Sequence, residues 1–420
     1  MSATQRIGST KAVKPKTFML IAGEASGDLL AAELVGALRQ RALAESTDST
    51  PDAQPLRTAL APRFFGAGGP KMAAAGVELA FDLTQHSVIG ISEVFKKYLE
   101  FRRLFNQLLK LAIERQPDVI IGVDYGGFNL RFGRAVRRFV RAHQSKFNNW
   151  NPKIVQFVSP QVWASRPGRA YKLQDDYDLI LSIFPFEKSW YAKRTPKLRV
   201  EFVGHPMVGR FTNDDLRFTR AQAEVSSIVN RQSQILLLPG SRADEVRRHW
   251  PVVTGAFQLL RRELPQLRGK MILPSDALVQ SVKPLGVPDG LELQVGSLTT
   301  ALAEADLAIT KSGTITMECA LFGVPAVVFY KTSWPTYFIG KQIVSVKYLA
   351  MPNLLADAPI FPEFIQHAAT PENIARAALE LLQNPAQRQE IQTQLKEIVN
   401  SLGGPGASRR AADAVMRLLD

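Results

Sequence analysis

At 420 residues the chain is too long for one ordinary hydrophobic core and predicts two or three domains. Its 46% hydrophobic and 21% charged residues exclude a disordered chain, and the single cysteine, Cys319, excludes a disulfide framework and a thiolate metal cage. Five scattered histidines without H-x-x-x-H spacing predict no protein-bound metal, and a formal net charge of +14 calls for an anionic partner: nucleic acid, a membrane surface or a phosphorylated substrate.

Residues 1–16 carry Arg6, Lys11, Lys14 and Lys16 but no apolar h-region, so they read as a flexible basic tail rather than a signal peptide. No segment reaches the ~18 consecutive apolar residues of a membrane span, so the expected location is the cytoplasm. The apolar run Thr17–Ala22 then meets a glycine turn and an amphipathic pattern with Leu29, Leu30, Leu34 and Leu38. This is the strand–loop–helix opening of a nucleotide-binding unit, but the loop is not G-x-G-x-x-G. Glu24 and Asp28 stand where a pyrophosphate would meet only N–H donors, so the loop suits a partner rich in hydroxyl groups. Ala44–Pro62 is a polar, proline-bearing insertion.

In Ser87–Arg115, Val94, Tyr98, Phe101, Phe105 and Leu108 form a helical stripe, widened by Phe95, Leu99 and Leu104. Lys96, Lys97, Arg102, Arg103 and Lys110 surround it. Such a helix either lies on anionic lipid or packs as a core helix with a solvated basic face. The strand Val119–Val123 ends at Asp124 in VDYGGFN. A carboxylate lifted out of a strand end suits a general base, and it equally suits a turn cap.

Further strands are expected at Arg63–Gly66, Lys153–Val158, Leu179–Ile183 and Val200–Val203, and then, beyond a boundary within Gly204–Gln234, at Gln234–Leu238, Lys270–Leu273, Leu291–Val295, Asp306–Thr310 and Ala326–Tyr330. The alternation of short β-branched runs with helical patterns predicts α/β architecture with two doubly wound, Rossmann-like domains facing across a cleft. Residues 17–205 form the first domain, 206–233 a linker and 234–370 the second domain. Pro371–Asp420 reads as helices that pack back on the first domain.

Ligands of such sheets bind outside the carboxyl ends of the strands. After Gln234–Leu238 comes PGSRADEV, where Gly240, Ser241 and Arg242 open a helix. Backbone N–H groups, helix dipole and guanidinium make an anion site, unless Arg242 merely pairs with Asp244 or Glu245. After Asp306–Thr310 comes KSGTITME, with Lys311, Ser312, Gly313 and Thr314 at a helix start and Glu318 one turn on. The turn suits a phosphate and Glu318 a ribose diol, and the same residues would serve for capping alone. Two phosphate-suited loops place a nucleotide in the second half.

These motifs together resemble lipid-A-disaccharide synthase, an inverting glycosyltransferase family of the GT-B fold. The matching runs, in order along the chain, are AGEASGD (Ala22–Asp28), FFGAGGPKMAAAGVE (Phe64–Glu78), VIGISEV (Val88–Val94), PDVIIGVDYGGFN (Pro117–Asn129), FVSPQVWA (Phe157–Ala164), FPFEKSWY (Phe184–Tyr191), FVGHPM (Phe202–Met207), LLLPGSRADEV (Leu236–Val246), SGTITMECALFGVPAVV (Ser312–Val328) and MPNLLAD (Met351–Asp357). The resemblance implies transfer of a diacylglucosamine from its UDP-activated form to the primary hydroxyl of diacylglucosamine 1-phosphate, releasing UDP, and it allows a homodimer in which Pro371–Asp420 is exchanged.

UDP is a product, so no cofactor and no metal is expected. The resemblance implies Asp124 as base with Glu24 as a second catalytic acid. Acceptor contacts would come from Ser26, Gly27, Asp28 and Asn129. UDP contacts would come from Gly240, Ser241, Arg242, Lys311, Ser312, Gly313, Thr314, Glu318 and Asn353. Acylated, phosphorylated substrates favour the lipid reading of the basic helix, with Phe95, Lys96, Lys97, Leu99, Arg102 and Arg103 on the inner face of the cytoplasmic membrane. Nucleic acid is then not an expected partner.

Three positions depart from the family pattern. Gly127 replaces a second carboxylate of D-x-P-D-F-N, Ser165 stands where a second tryptophan often follows W-A, and Gly209 stands where an Asp often follows G-H-P-M-V. A UDP-N-acetylglucosamine epimerase or another lipid-linked glycosyltransferase is the neighbouring alternative on the same fold. A basic nucleic-acid-binding protein without catalysis is the alternative from a different class.

Overall fold

The computed structural model describes residues 14–45, 61–86, 94–210 and 233–419. Expectations for most of the basic tail, the Ala44–Pro62 insertion, the entry to the basic helix and the linker 206–233 therefore fall outside the described residues, as do the side chains of Phe95, Lys96 and Lys97.

The chain divides into two compact units: the first runs to Gln161, resumes over Gly168–Pro206 and takes in Gly406–Asp420, and the second comprises Val162–Pro167 and Met207–Pro405. In the first, β1 (Thr17–Ala22), β2 (Arg63–Gly68), β3 (Glu78–Asp82), β4 (Val119–Val123), β5 (Lys153–Phe157), β6 (Leu179–Ser182) and β7 (Val200–Phe202) form one sheet in the order β3-β2-β1-β4-β5-β6-β7. In the second, β8 (Gln234–Leu238), β9 (Arg268–Leu273), β10 (Leu291–Val295), β11 (Leu307–Lys311), β12 (Ala326–Tyr330) and β13 (Glu363–Ile365) form another in the order β10-β9-β8-β11-β12-β13. Every pairing within the two sheets is parallel. The strand order reverses between β1 and β4 in one sheet and between β8 and β11 in the other, and a ligand crevice opens at such a switch point.

Why these runs become central strands is plain from their burial. VIIGV of β4 is buried throughout, and TFMLIA of β1 is buried in all but its first residue. A strand covered by helices on both faces reads as a continuous apolar run. The two strands that the sequence did not reveal, β3 and β13, are both sheet edges, and their residues (ELAFD and EFI) are half-buried or exposed. An edge strand needs no unbroken apolar run, so it leaves no such signal. The strand expected at Asp306–Thr310 runs over Leu307–Lys311, and just before it Asp306 Oδ2 accepts from the Gln234 N–H at 2.8 Å.

The helices that position the site are α1 (Ala25–Glu45), α2 (Pro70–Ala74), α3 (Val94–Arg115), α4 (Gly126–His143), α5 (Ala243–Glu263), α6 (Ile315–Leu321), α7 (Trp334–Ile343), α8 (Met351–Ala356), α9 (Pro371–Gln383), α10 (Pro385–Ser401) and α11 (Ala407–Met416). Of the final helices, α9 packs on α5 and α10 on α6, within the second unit. Only α11 packs on α1, where Ser408 donates to Glu33 at 3.2 Å and Arg41 pairs with Asp413 at 3.2 Å. The short stretch Val162–Pro167 joins the second unit, with the Ser345 N–H donating to the Ala164 carbonyl at 2.9 Å.

Candidate active site

In the first unit, the ends of β1 and β4 lie side by side in register (Ala22 with Val123), so the loop from Gly23 and the loop from Asp124 emerge together at the switch point. They touch closely. A Cβ on Gly23 would lie 2.4 Å from the Tyr125 ring, and one on Gly27 would lie 3.5 Å from the Asp124 Cβ. Only glycine at 23 lets Tyr125 lie over the first loop. Glu24 and Ser26 are exposed on that loop, and Glu24 acts electrostatically on the Tyr125 hydroxyl, which burial and this charge together push upward in pKa.

Asp124 and Tyr125 both hold left-handed backbone conformations (φ 51° and 45°), a geometry that disfavours a side chain with a Cβ. Three hydrogen bonds maintain it. The Asp124 N–H donates to the Phe157 carbonyl at 2.6 Å, and the Asp124 carbonyl accepts from Asn129 Nδ2 at 2.9 Å and Gln156 Nε2 at 2.8 Å. Asn129 is buried behind the turn, so its amide positions Asp124 rather than facing a ligand. The side chain of Asp124 is half-buried, and desolvation raises its pKa above the ordinary aspartate range, partly opposed by the Tyr125 N–H. A carboxylate tuned upward at a switch point suits proton transfer.

Asp28, expected to meet the acceptor, is instead engaged inside the fold. It is 2% exposed and accepts from the N–H groups of Gly69 at 2.8 Å, Lys71 at 2.9 Å and Met72 at 3.0 Å. It therefore caps α2 from a distant part of the chain, which anchors the first loop. Gly127 is the second residue of α4, at an exposed position where an added Cβ would have nothing within 4 Å.

Behind the Asp124 turn, Phe105 of α3 packs edge-on against Phe128 and Phe132 of α4, with ring centroids 5.4 and 5.6 Å apart. Leu108 and Ala112 are buried, while Leu99, Arg102, Arg103 and Lys110 are exposed. The helix thus carries both a core stripe and a basic outer face with an exposed leucine.

In the second unit, β8 and β11 are neighbours (Leu238 with Thr310), which brings the Gly240–Arg242 and Lys311–Thr314 loops together. Lys311 Nζ donates to Glu245 Oε1 at 2.7 Å across them. Desolvation works to raise the Glu245 pKa, but the Lys311 hydrogen bond and charge, with help from Arg242 and His249, hold it below the usual carboxylate range. Glu245 therefore pairs with Lys311, not with Arg242. Arg242 and Ser241 are exposed, and the Arg242 guanidinium makes no hydrogen bond or ion pair among the described residues, while its carbonyl accepts from the Val246 N–H at 2.9 Å.

Ser312 is more constrained than its motif suggests: its N–H donates to the Phe329 carbonyl at 2.8 Å and its hydroxyl to the Leu349 carbonyl at 2.9 Å. The N–H groups of Gly313 and Thr314 enter no hydrogen bond among the described residues. Glu318 is half-buried, and desolvation raises its pKa against the pull of Arg210. Asn353 is fully buried and spends its amide on the fold, donating to the Phe361 carbonyl at 2.7 Å and Glu363 at 2.8 Å and accepting from the Phe361 N–H at 2.7 Å.

Sequence reasoning missed the supports Gln156, Glu363 and His249, and it offered Glu245 only as a partner of Arg242, where the structure pairs it with Lys311. Glu363 accepts from the Leu349 and Ala350 N–H groups, both at 2.9 Å, and so holds the loop that Ser312 touches. His249 is buried, with Nδ1 2.5 Å from the Pro239 carbonyl and Nε2 2.9 Å from the Lys331 carbonyl. A polar residue on the apolar face of an amphipathic helix was the one available signal for His249.

Two parallel sheets, each with interleaved helices and a switch point in its strand order, define an α/β two-domain fold of the GT-B class, and solved structures agree in fold. The chain resembles the glycotransferase of kitacinnamycin (TM-score 0.57, 18% identity, 96% of this chain and 99% of that one). It also resembles UDP-GlcNAc 2-epimerase from Neisseria meningitidis bound to UDP-GlcNAc (TM-score 0.56, 11% identity, 96% and 100%). At these identities the likeness concerns fold alone.

Sequence comparison is more specific. Residues 18–418 match the family model described as lipid-A-disaccharide synthetase. A lipid-A-disaccharide synthase of Trichlorobacter lovleyi is 34% identical over 412 residues, covering 97% of this chain and 98% of that protein. The chain belongs to the lipid-A-disaccharide synthase family, and it is a hexosyltransferase. Among the described residues, no group of three or more His, Cys, Asp or Glu side chains is placed to hold a metal ion.

Proposed function

We propose that the protein transfers 2,3-diacylglucosamine from its UDP-activated form to 2,3-diacylglucosamine 1-phosphate, with inversion, giving the disaccharide 1-phosphate of lipid A and UDP. The observation that carries the reading is Asp124: a half-buried carboxylate of raised pKa, held at a switch point by the strained turn.

Asp124 takes the proton of the acceptor's primary hydroxyl as that oxygen bonds to the anomeric carbon. The bond from that carbon to the diphosphate oxygen breaks, and its electron pair leaves with UDP. Glu24, Ser26 and Gly27 face the acceptor beside Tyr125. Arg242, with the N–H groups of Gly240, Ser241, Gly313 and Thr314, meets the charge growing on the diphosphate, and Glu318 receives the ribose hydroxyls. Lys311 shapes this pocket through Glu245, while Asp28, Asn129, Ser312 and Asn353 hold the loops. The exposed face of α3, with Leu99, Arg102 and Arg103, rests on the inner face of the cytoplasmic membrane as a peripheral contact. Supporting this, no helix among the described residues is long and apolar enough to cross a membrane.

The test is UDP release by the purified protein. Release only when both lipid substrates are present supports the transferase, and turnover of UDP-N-acetylglucosamine alone would replace it with an epimerase. Asp124→Asn should lower kcat by about 10²–10⁴ while UDP binding persists. Wild-type activity should rise with pH as Asp124 loses its proton, along a limb above the ordinary aspartate range that the variant lacks.

A further inference from the structure

Between β12 and α8, the second unit presents a segment unlike the rest of its described surface. Trp334 is 54% exposed and Phe338 59%, both on α7, and Val344 just beyond it is exposed as well. Trp334, Tyr337 and Phe338 fall on one helix face, with ring centroids 5.9–6.0 Å apart. From 331 to 356 the charged residues are Lys331, Lys341 and Lys347, with no acid among them. Lys341 and Lys347 are exposed, and the Lys347 ammonium lies 4.9 Å from the centre of the Tyr348 ring.

Single exposed apolar residues need no explanation. Clustered aromatics with lysines and no acids make the pattern of a helix lying in a membrane interface, with rings at headgroup depth and cations on lipid phosphates. Both ends of the segment are tied to the loops assigned to UDP. The Lys331 carbonyl is bonded to His249, which also holds the Pro239 carbonyl, and the Leu349 carbonyl accepts from Ser312.

We propose that residues 331–348 seat the second unit on an anionic lipid bilayer, with Trp334 and Phe338 entering the headgroup region and Lys341 and Lys347 meeting its phosphates. The proposal deepens the transferase reading and rests on it for its purpose, since a donor carrying acyl chains has to be drawn from lipid to the diphosphate loops. It assigns a contact separate from that of α3, which belongs to the other unit.

The test is partition of the full chain onto phosphatidylcholine vesicles with and without phosphatidylglycerol. Wild type should prefer the anionic vesicles. Trp334→Ser/Phe338→Ser should weaken that binding at least about tenfold. Lys341→Gln/Lys347→Gln, a surface change that spares the fold, should weaken it roughly 25-fold, at about fivefold per cation. Both variants should keep wild-type UDP affinity.

Several results would overturn the proposal: wild type indifferent to anionic lipid, equal partition of both folded variants, or sensitivity to Arg102→Glu/Arg103→Glu alone. Loss of self-association without loss of lipid binding would do so too, by making a second copy the occupant. Partition needs no substrate. Wild type that floats with anionic vesicles yet releases no UDP in detergent micelles would instead refute the transferase reading.

Discussion

Gln156→Leu isolates the turn that carries Asp124 from the chemistry of its carboxylate. Two successive left-handed residues with side chains, at φ 51° and 45°, cost about 1–2 kcal/mol each. The amides of Gln156 and Asn129, at 2.8 and 2.9 Å from the Asp124 carbonyl, offset this by about 0.5–1.5 kcal/mol each. Leucine removes the Gln156 donor. It also removes Gln156 Oε1, a buried acceptor with no partner among the described residues, so global stability should change by less than about 1 kcal/mol.

The turn, however, loses about 1 kcal/mol of its hold, a factor of roughly five in how often it is formed. Steady-state UDP release should show kcat lowered about three- to tenfold, with UDP affinity and the acidic limb of the pH profile little changed. A loss as deep as that of Asp124→Asn would mean that Gln156 takes part in the chemistry itself. An unchanged kcat in a folded variant would mean that its amide does not hold the turn.

Gly209→Asp, the residue often found in the family, should destabilise the second unit by about 2–4 kcal/mol in thermal unfolding, because Gly209 sits at φ 94° and a Cβ there would lie 2.6 Å from Pro405. Gly127→Asp should fold well and gain up to about 1 kcal/mol from its place in the first turn of α4. Its second charge near Asp124 should also move the acidic limb of the rate profile to higher pH. Lys311→Met leaves Glu245 without its bonded cation and should cost about 1–3 kcal/mol at neutral pH. Because the folded pKa of Glu245 is depressed, this contribution is present above the carboxylate's unfolded pKa and fades as pH falls through the folded one. Urea titrations of wild type and variant should therefore converge in acid, and a gap that persists there would refute the assignment.

The departures from the family pattern gain physical content from these positions. Gly209 fits a left-handed site closed by Pro405, so at that place the local chain has adapted around glycine. Gly127 lies open, and its missing carboxylate leaves Asp124 as the acid of that loop. Nothing in the structure explains Ser165.

Local pattern was enough to locate the central strands, the glycine turns after them and the residues able to handle protons, hydroxyl groups or phosphate. A strand buried on both faces must be apolar throughout, and a loop approached by a ligand must be small or polar. Those demands act within a few residues, so the placement of Asp124, Glu24, Arg242 and Glu318 in loops after strands or in the helical turns that follow them was legible in the sequence. Folding decided which polar groups are already engaged. Asp28 meets N–H groups at Gly69, Lys71 and Met72, Asn353 meets Phe361, and Lys311 meets Glu245. Edge strands β3 and β13, the support of the Asp124 turn by Gln156, and the aromatic face of α7 likewise emerged only when distant segments packed. The periodicity of a sequence reports what each residue must bury, but not which partner will satisfy it.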